Sequence, residues 1–244
     1  MVLAFALDHS QGISGGIYVL LIAIWAALTG IGSFHIRWNY YLKGLHRNKT
    51  TKNNWVAVTF DDGPHPIFTP QVLRLLRQYD AKATFFCIGR EIDRYPEIVR
   101  EIIAEGHTLG NHTYTHAKGL GFFSTDRIVR ELKSTGAAIK HRTGLEPRLY
   151  RPAFGVTNPH ISRAVALLGL STIGWSIRSL DTTYRSKKTV LRRITRHLEQ
   201  GDIILLHDTS AKTVEVLEQL LLFLQNKKMR SVTVDQLLDI KAYA

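Results

Sequence analysis

The sequence is poor in cysteine, with one residue, Cys87, in 244. No internal disulfide can form and no cysteine-rich zinc module can be built, while the redox compartment stays open, since proteins of oxidising compartments also do without bridges. Acidic residues are in short supply too: 20 Asp and Glu face 32 Lys and Arg, for a formal net charge of +12. That excess suits an anionic partner, whether membrane surface, acidic glycan or nucleic acid, without choosing among them. Neither a Walker loop nor a dinucleotide-binding glycine pattern occurs, which argues against a nucleotide cofactor. No repeat, low-complexity tract or Pro/Gly/Ser linker follows residue 53, so one domain is the economical count. What remains, 45% hydrophobic and 21% charged, lies near globular averages and excludes disordered, collagen-like and coiled-coil chains.

Charge is missing altogether from residues 13–34, which are almost wholly apolar from 17 to 31. As a helix rising ~1.5 Å per residue, this run is long enough to cross a hydrocarbon core of about 30 Å. Tyr18 lies towards one end, and Trp38, Tyr40 and Tyr41 cluster past the other like an interfacial aromatic belt. A cleaved signal peptide fits less well, because no Lys or Arg precedes the run and Asp8 is the sole charged side chain there. A buried core helix fits less well because no face is polar. The expectation is a single-pass N-terminal membrane anchor over residues 1–35 and a basic juxtamembrane segment over 36–53. One folded domain over 54–244 follows.

From residue 54 onward, strand-like and helix-like patterns alternate. Residues 55–60 (WVAVTF) are a β-branched run closed by the turn signal Asp61-Asp62-Gly63-Pro64. Thr69-Pro70 reads as N-cap and first-turn proline of a helix carrying Val72, Leu76 and Tyr79 on one face. Further strands are expected at 83–88, 107–110, 149–151, 171–175, 203–206 and 231–234. Helices are expected between them, including 126–142, 159–168, a basic one at 189–198, and 213–224. About seven strands alternating with helices predict an α/β fold with a parallel sheet, closed as a barrel or left open; periodicity does not choose.

Catalytic groups of such folds gather where strands end, and most of the short polar motifs fall there. Asp61 and Asp62 are neighbours in extended chain and point to opposite sides, so one can bind a cation while the other stays free as a base. Standing alone, the pair would read as an acidic turn. His112 and His116, four apart, can reach one metal, and with Asp62 they make a two-histidine, one-carboxylate set with open positions. Arg151, in Arg151-Pro152-Ala153-Phe154-Gly155, can orient a carboxylate, and backbone N–H groups of that turn can face an oxyanion. Residues 175–181 (WSIRSLD) and Leu205-Leu206-His207-Asp208 complete the series; His207 alone would read as a core histidine.

In order, these motifs resemble the polysaccharide deacetylases, the group with the NodB-homology domain (carbohydrate esterase family 4), over roughly residues 54–240. Thr59-Phe60-Asp61-Asp62-Gly63-Pro64 matches that family's first motif and His112-Thr113-Tyr114-Thr115-His116 its second. The resemblance implies a distorted (β/α) barrel and a divalent metal, usually zinc. It places the base on Asp61, the metal ligands on Asp62, His112 and His116, and the acid on His207. Arg151 then holds the base, Asp181 tunes the neighbouring pair, and Phe154, Trp175 and Leu205 meet substrate. Two motifs depart from the family's pattern. Ala153 and Phe154 stand where Pro and Tyr are usual, although a backbone N–H from Phe154 serves equally well. Thr182 follows Asp181 where Trp is usual, which alters the acetyl pocket and leaves Trp175 as its substitute.

The activity so implied is removal of N-acetyl groups from an N-acetylglucosamine-type glycan, with no nucleic-acid partner. Three other readings stay open at this level. O-acetyl ester cleavage by the same site needs the acid less. A non-haem iron oxygenase would share the two-His-one-carboxylate set but leave Asp61 and His207 idle. A membrane-tethered binding module would use the basic run from Arg178 to Arg196 on an anionic glycan or nucleic acid. Location pulls two ways. The cationic cluster from Arg37 to Lys52 predicts a cytoplasmic domain, whereas the resemblance predicts a periplasmic or exterior one, which is the expectation adopted.

Overall fold

The computed structural model describes residues 15–244; the opening of the expected anchor, residues 1–14 with Asp8, lies outside them. The fold is built on strand alternation. In β2 (Trp55–Asp61), Val56, Val58 and Phe60 join the cluster under the helices, while Ala57, Thr59 and Asp61 take the opposite face. β8 (Ile203–His207) repeats the division, with Ile204 and Leu206 outward and Ile203, Leu205 and His207 inward. β2 and β8 are parallel neighbours in a register that sets Asp61 opposite His207. Apolar residues on both faces are what a helix-covered parallel sheet requires. Burying each large aliphatic contributes about 1.5–3 kcal/mol.

The other strands are β1 (Gly44–Leu45), β3 (Ala83–Cys87), β4 (Thr108–Asn111), β5 (Leu149–Tyr150), β6 (Ser171–Ile173), β7 (Ile177–Arg178) and β9 (Arg230–Ser231). All named strand pairs are parallel, in the order β1-β6-β5-β4-β3-β2-β8-β7, with β9 added to the start of β2. Since β6 and β7 are separated only by residues 174–176, one bent run of chain serves both β5 and β8. The sheet thereby curls into an incomplete barrel whose interior is Ala57, Phe86, Leu149, Ile173 and Ile203. About seven strands were expected and nine are present among the described residues. β1 and β7 are two residues each, too short to carry a period.

The helices are α1 (Gly15–Phe34), α2 (Phe68–Gln78), α3 (Gly89–Arg94), α4 (Pro96–Ala104), α5 (Thr125–Thr143), α6 (Pro159–Leu167), α7 (Lys187–Thr195), α8 (Ala211–Asn226) and α9 (Val234–Leu238). Side chains of Ser124, Asn158, Ser186 and Ser210 cap α5, α6, α7 and α8 by accepting backbone N–H bonds. Two expectations are corrected. Thr69 does not cap α2: its hydroxyl accepts the His65 N–H at 2.7 Å and donates to buried Asp208, and the helix starts at Phe68, two residues earlier than expected. Between β3 and β4, where one helix carrying Ile98 and Ile102 is expected, there are two, broken at Tyr95 because Pro96 opens α4 and the residue before a proline avoids the helical region.

α1 is 20 residues long, and its side chains are almost wholly exposed. The sheet also begins upstream of residue 54: β1 pairs with β6, and Ile36 is buried among Ile173, Trp175 and Leu205.

Candidate active site

Every residue singled out from the sequence converges on the ends of the strands. One pocket is lined by Asp61, Asp62, His112, His116, Phe154, Trp175, Leu205 and His207, among others. Arg151 and Asp181, both fully buried, stand behind its wall.

The two adjacent carboxylates have different partners. Asp61 continues β2 and accepts from Arg151 Nη1 at 2.8 Å. Asp62 follows with φ of +73°, which swings its carboxylate away from the strand, so that Oδ1 lies 3.4 Å from His112 Nε2 and 3.3 Å from His116 Nε2. Left-handed backbone recurs around the pocket at Thr113, His116, Phe154 and Leu180. Such conformations cost of order 1–3 kcal/mol each in bulky residues and persist where surrounding structure enforces them.

The enforcement is visible. Glu131 on α5 accepts the N–H groups of Tyr114 and Thr115 and the Thr115 hydroxyl, which fixes the loop between the two histidines. Asn111 Oδ1 accepts the Thr113 N–H at 3.0 Å. His112 Nδ1 donates to the Arg151 carbonyl at 2.9 Å, leaving Nε2 to face Asp62. Arg151 itself is bound on every side, donating to Thr59 Oγ1, Asp61 and the carbonyls of Ile173 and Gly174, with Phe86 under its guanidinium at 4.1 Å.

The Asp62–His112–His116 group fits a divalent cation. One ligand atom from each lies within 4.8 Å of the others. Asp62 Oδ1 is buried without a hydrogen-bond partner, an unsatisfied acceptor aimed into the group. Burial, reinforced by neighbouring His112, pushes His116 down to about 4, so its imidazole keeps a lone pair. Burial opposes a charge on Asp62, yet the surrounding histidines hold its carboxyl well below the usual range. Burial opposes a proton on His112 as well, but Asp61 and Asp62 draw one on, the same negative field that a cation would meet. Each second nitrogen or oxygen anchored by protein fixes a ligand's aim, as His112 Nδ1 shows.

Across the pocket, His207 Nδ1 donates to Asp181 Oδ1 at 2.9 Å, and its backbone N–H donates to Oδ2 at 2.8 Å. Asp181 also accepts from Ser179 and Thr213 hydroxyls, each at 2.8 Å. Burial works against a charge on His207, but the bonded Asp181 outweighs it and, with Asp61 and Asp62, raises the imidazole to about 9. Burial likewise opposes the Asp181 charge, which His207 and the two hydroxyls restore, holding that carboxyl below its ordinary value. Trp175 and Thr182 both line the pocket, and Phe154, 49% exposed, sets its ring against His116 at 4.5 Å between centroids.

Thr59 and Ser179, which lie inside the motifs, and Glu131 and Thr213, which lie outside them, have no role legible in the sequence, since each acts on a site residue through a contact that no local pattern announces. Asp208 was visible beside His207 but unassigned: its carboxylate packs against Gly63, where any Cβ would collide with it. A cation-holding trio with open positions, an adjacent unligated carboxylate and a histidine kept protonated are together the equipment of a metal-dependent hydrolase.

Comparison with known proteins agrees. The family model for polysaccharide deacetylase matches residues 48–173. A peptidoglycan-N-acetylglucosamine deacetylase of Bacillus cereus is 37% identical over 191 residues, 76% of this chain and 89% of the relative. The PgdA peptidoglycan-N-acetylglucosamine deacetylase of Listeria monocytogenes is 33% identical over 78% of this chain, which spans only 40% of that longer relative. Among solved structures, peptidoglycan deacetylase PdaC from Bacillus subtilis superposes with a TM-score of 0.73 at 30% identity, covering 77% of this chain and 91% of that one. The chain belongs to the polysaccharide deacetylase family.

Proposed function

We propose that the protein removes N-acetyl groups from an N-acetylglucosamine-type glycan, using Asp61 as base and His207 as acid on either side of a metal held by Asp62, His112 and His116. The observation that carries this reading is the division of the adjacent carboxylates, Asp61 turned to Arg151 and Asp62 to the two histidines. Zinc suits two imidazoles and a carboxylate with positions left for water and substrate; when bound, it would lower the pKa of a water molecule and polarise the acetyl carbonyl.

Asp61 takes the proton of the attacking water, its carboxylate held in aim by the Arg151 fork. The backbone N–H of Phe154, in its left-handed turn, supplies a donor for the developing oxyanion. His207, charged through Asp181, protonates the departing amine. An amide needs that proton far more than an ester does, which favours N-acetyl over O-acetyl groups. Trp175 and Leu205 shape the acetyl-binding end of the pocket. The basic run on α7 is a solvated face over buried Val190 and Ile194, which speaks against a binding module built on it.

α1 is read as a single-pass anchor, with the catalytic domain in the periplasm or outside the cell, where acetylated wall polymers lie. Residues 1–35 are the membrane segment and 54–244 carry the chemistry, while the basic stretch 36–53 between them also gives β1 and Ile36 to the domain. Acetate release from matched N-acetylated and O-acetylated glycans, with metal analysis of the purified protein, tests the activity. Release from neither, or a protein that turns over without bound metal, overturns it. Protease treatment of intact spheroplasts tests the side: a tag at Ala244 that survives until lysis means a cytoplasmic domain.

A further inference from the structure

The end of α1 does not lead into a linker. The carbonyl of Ser33 accepts the Thr157 N–H at 2.8 Å, and the Thr157 hydroxyl donates to the Gly32 and Ser33 carbonyls at 3.5 Å. Thr157 closes the turn that begins at Arg151. Gly32 is covered by Tyr40, whose ring would lie 2.6 Å from a Cβ at that position. Two residues past the helix, Ile36 is buried beside Trp175 and Leu205. Arg37 then donates to the carbonyl of Ser176 at 3.4 Å. The anchor is therefore seated on two of the loops that wall the catalytic pocket. From Phe34 to Ile36 the chain can extend by roughly 7 Å at most, whereas a flexible tether of n residues reaches about 5–6 Å × √n and would let the domain swing outward.

The same rim carries two exposed guanidiniums and an uncovered aromatic. Arg37 sits at Ser176, and Arg178 lies 5.9 Å from the Trp175 ring, within the pocket lining. Asn158, next to the anchor's partner Thr157, holds the Gly121 carbonyl at 2.7 Å, and the following Phe122 is 96% exposed. Trp and Tyr rings at a helix exit, here the exposed Trp38 and Tyr40, favour the headgroup layer, and guanidiniums match phosphate oxygens in a planar, charge-assisted fork.

We infer that the substrate is carried by the bilayer itself: an N-acetylated saccharide joined through phosphate to a membrane lipid, with the phosphate at Arg37 and Arg178 and the acetamido group in the pocket. The inference rests on the deacetylase and membrane-anchor readings above. A pocket seated on the exit of a membrane helix meets sugars presented at the headgroup layer, while a finished polymer further away lies beyond its reach. The seat is equally short on either side of the membrane.

The test uses the full chain in phosphatidylcholine vesicles and follows acetate release from three forms of one N-acetylglucosamine oligosaccharide: polyprenyl-phosphate-linked in the same vesicles, soluble with a terminal phosphate, and soluble without one. The lipid-linked form is expected to turn over at least about tenfold faster at equal bulk concentration, since confinement raises the effective concentration of a substrate whose geometry permits engagement. Arg37→Ala and Arg178→Ala should raise KM on both phosphate-bearing forms more than on the unphosphorylated one. Inserting about 20 Gly/Ser residues between Phe34 and His35 keeps enzyme and lipid in one vesicle but frees the seat, and should shrink the lipid-linked advantage.

Equal rates on the lipid-linked and phosphate-free forms overturn the inference and leave the deacetylase reading standing. So does an advantage untouched by the insertion, or a soluble phosphate form as good as the lipid-linked one. Acetate from none of the three overturns the deacetylase reading, and failure of the chain to float with vesicles overturns the anchor; the inference falls with either.

Discussion

Arg151 Nη1 and Asp61 Oδ1 meet at 2.8 Å, the arginine fully buried and the carboxylate set in the wall of the pocket. Burial makes an arginine costly, and it pushes the guanidinium down from its ordinary value, with Asp61 acting in the opposite direction. The remaining donors are met by Thr59 and two carbonyls, so the charge is satisfied on all sides. The pair thereby fixes a carboxylate in one orientation, which a base beside a cation site needs and a surface ion pair would not provide.

Removing the arginine should therefore damage both fold and function. Arg151→Ala leaves Asp61 buried without its partner and should destabilise the domain by about 3–5 kcal/mol, read as a lower denaturant midpoint. Arg151→Lys keeps the charge but loses the fork and part of its bonding to Thr59 and the two carbonyls; kcat should fall, with a smaller loss of Tm than in the alanine variant. A lysine variant with normal kcat would show that orientation by the guanidinium is unnecessary.

The adjacent carboxylates should separate by chemistry. Asp61→Asn is expected to retain metal and lose turnover, whereas Asp62→Asn, His112→Ala and His116→Ala should lose metal and activity together, as measured by metal stoichiometry beside acetate release. A His112→Ala protein with stoichiometric zinc, or equal metal loss in both Asp variants, would show the ligand set to be misassigned.

His207 is protonated below about 9, and a general acid works only while protonated. Activity on an amide should accordingly decline as pH rises through that value. Asp181→Asn removes the partner that raises it and should shift the alkaline limb to lower pH. His207→Ala should cost ~10²–10⁴ in amide cleavage but far less with an activated aryl acetate, whose phenolate leaves unaided. Similar losses on both substrates would point to a structural role.

Gly63 has no room for a side chain, because the Asp208 carboxylate, bonded to Thr69, occupies the space. Gly63→Ala should cost about 1–3 kcal/mol through this overpacking and weaken metal binding by displacing Asp62. Thermal melts with metal titration would detect both; an unchanged Tm would show that the turn yields.

By itself the sequence determined the side-chain chemistry and much of its aim. Strand parity alone sends Thr59 and Asp61, or Leu205 and His207, to one face, a consequence of local backbone geometry that a run of five to seven residues already contains. The His112 and His116 rings come within 5.0 Å in a loop that Glu131 on α5 holds. Tertiary structure decided what the local pattern could not hold. Arg151 finds Asp61 across 90 residues of chain, and Thr213 finds Asp181 across 32. β1 and β7 exist only because β6 and β8 offer edges to pair with. The seat of α1 on Thr157, 124 residues away from Ser33, is of the same kind: burial and hydrogen bonding between distant segments select it, and neither leaves a periodic trace in the sequence.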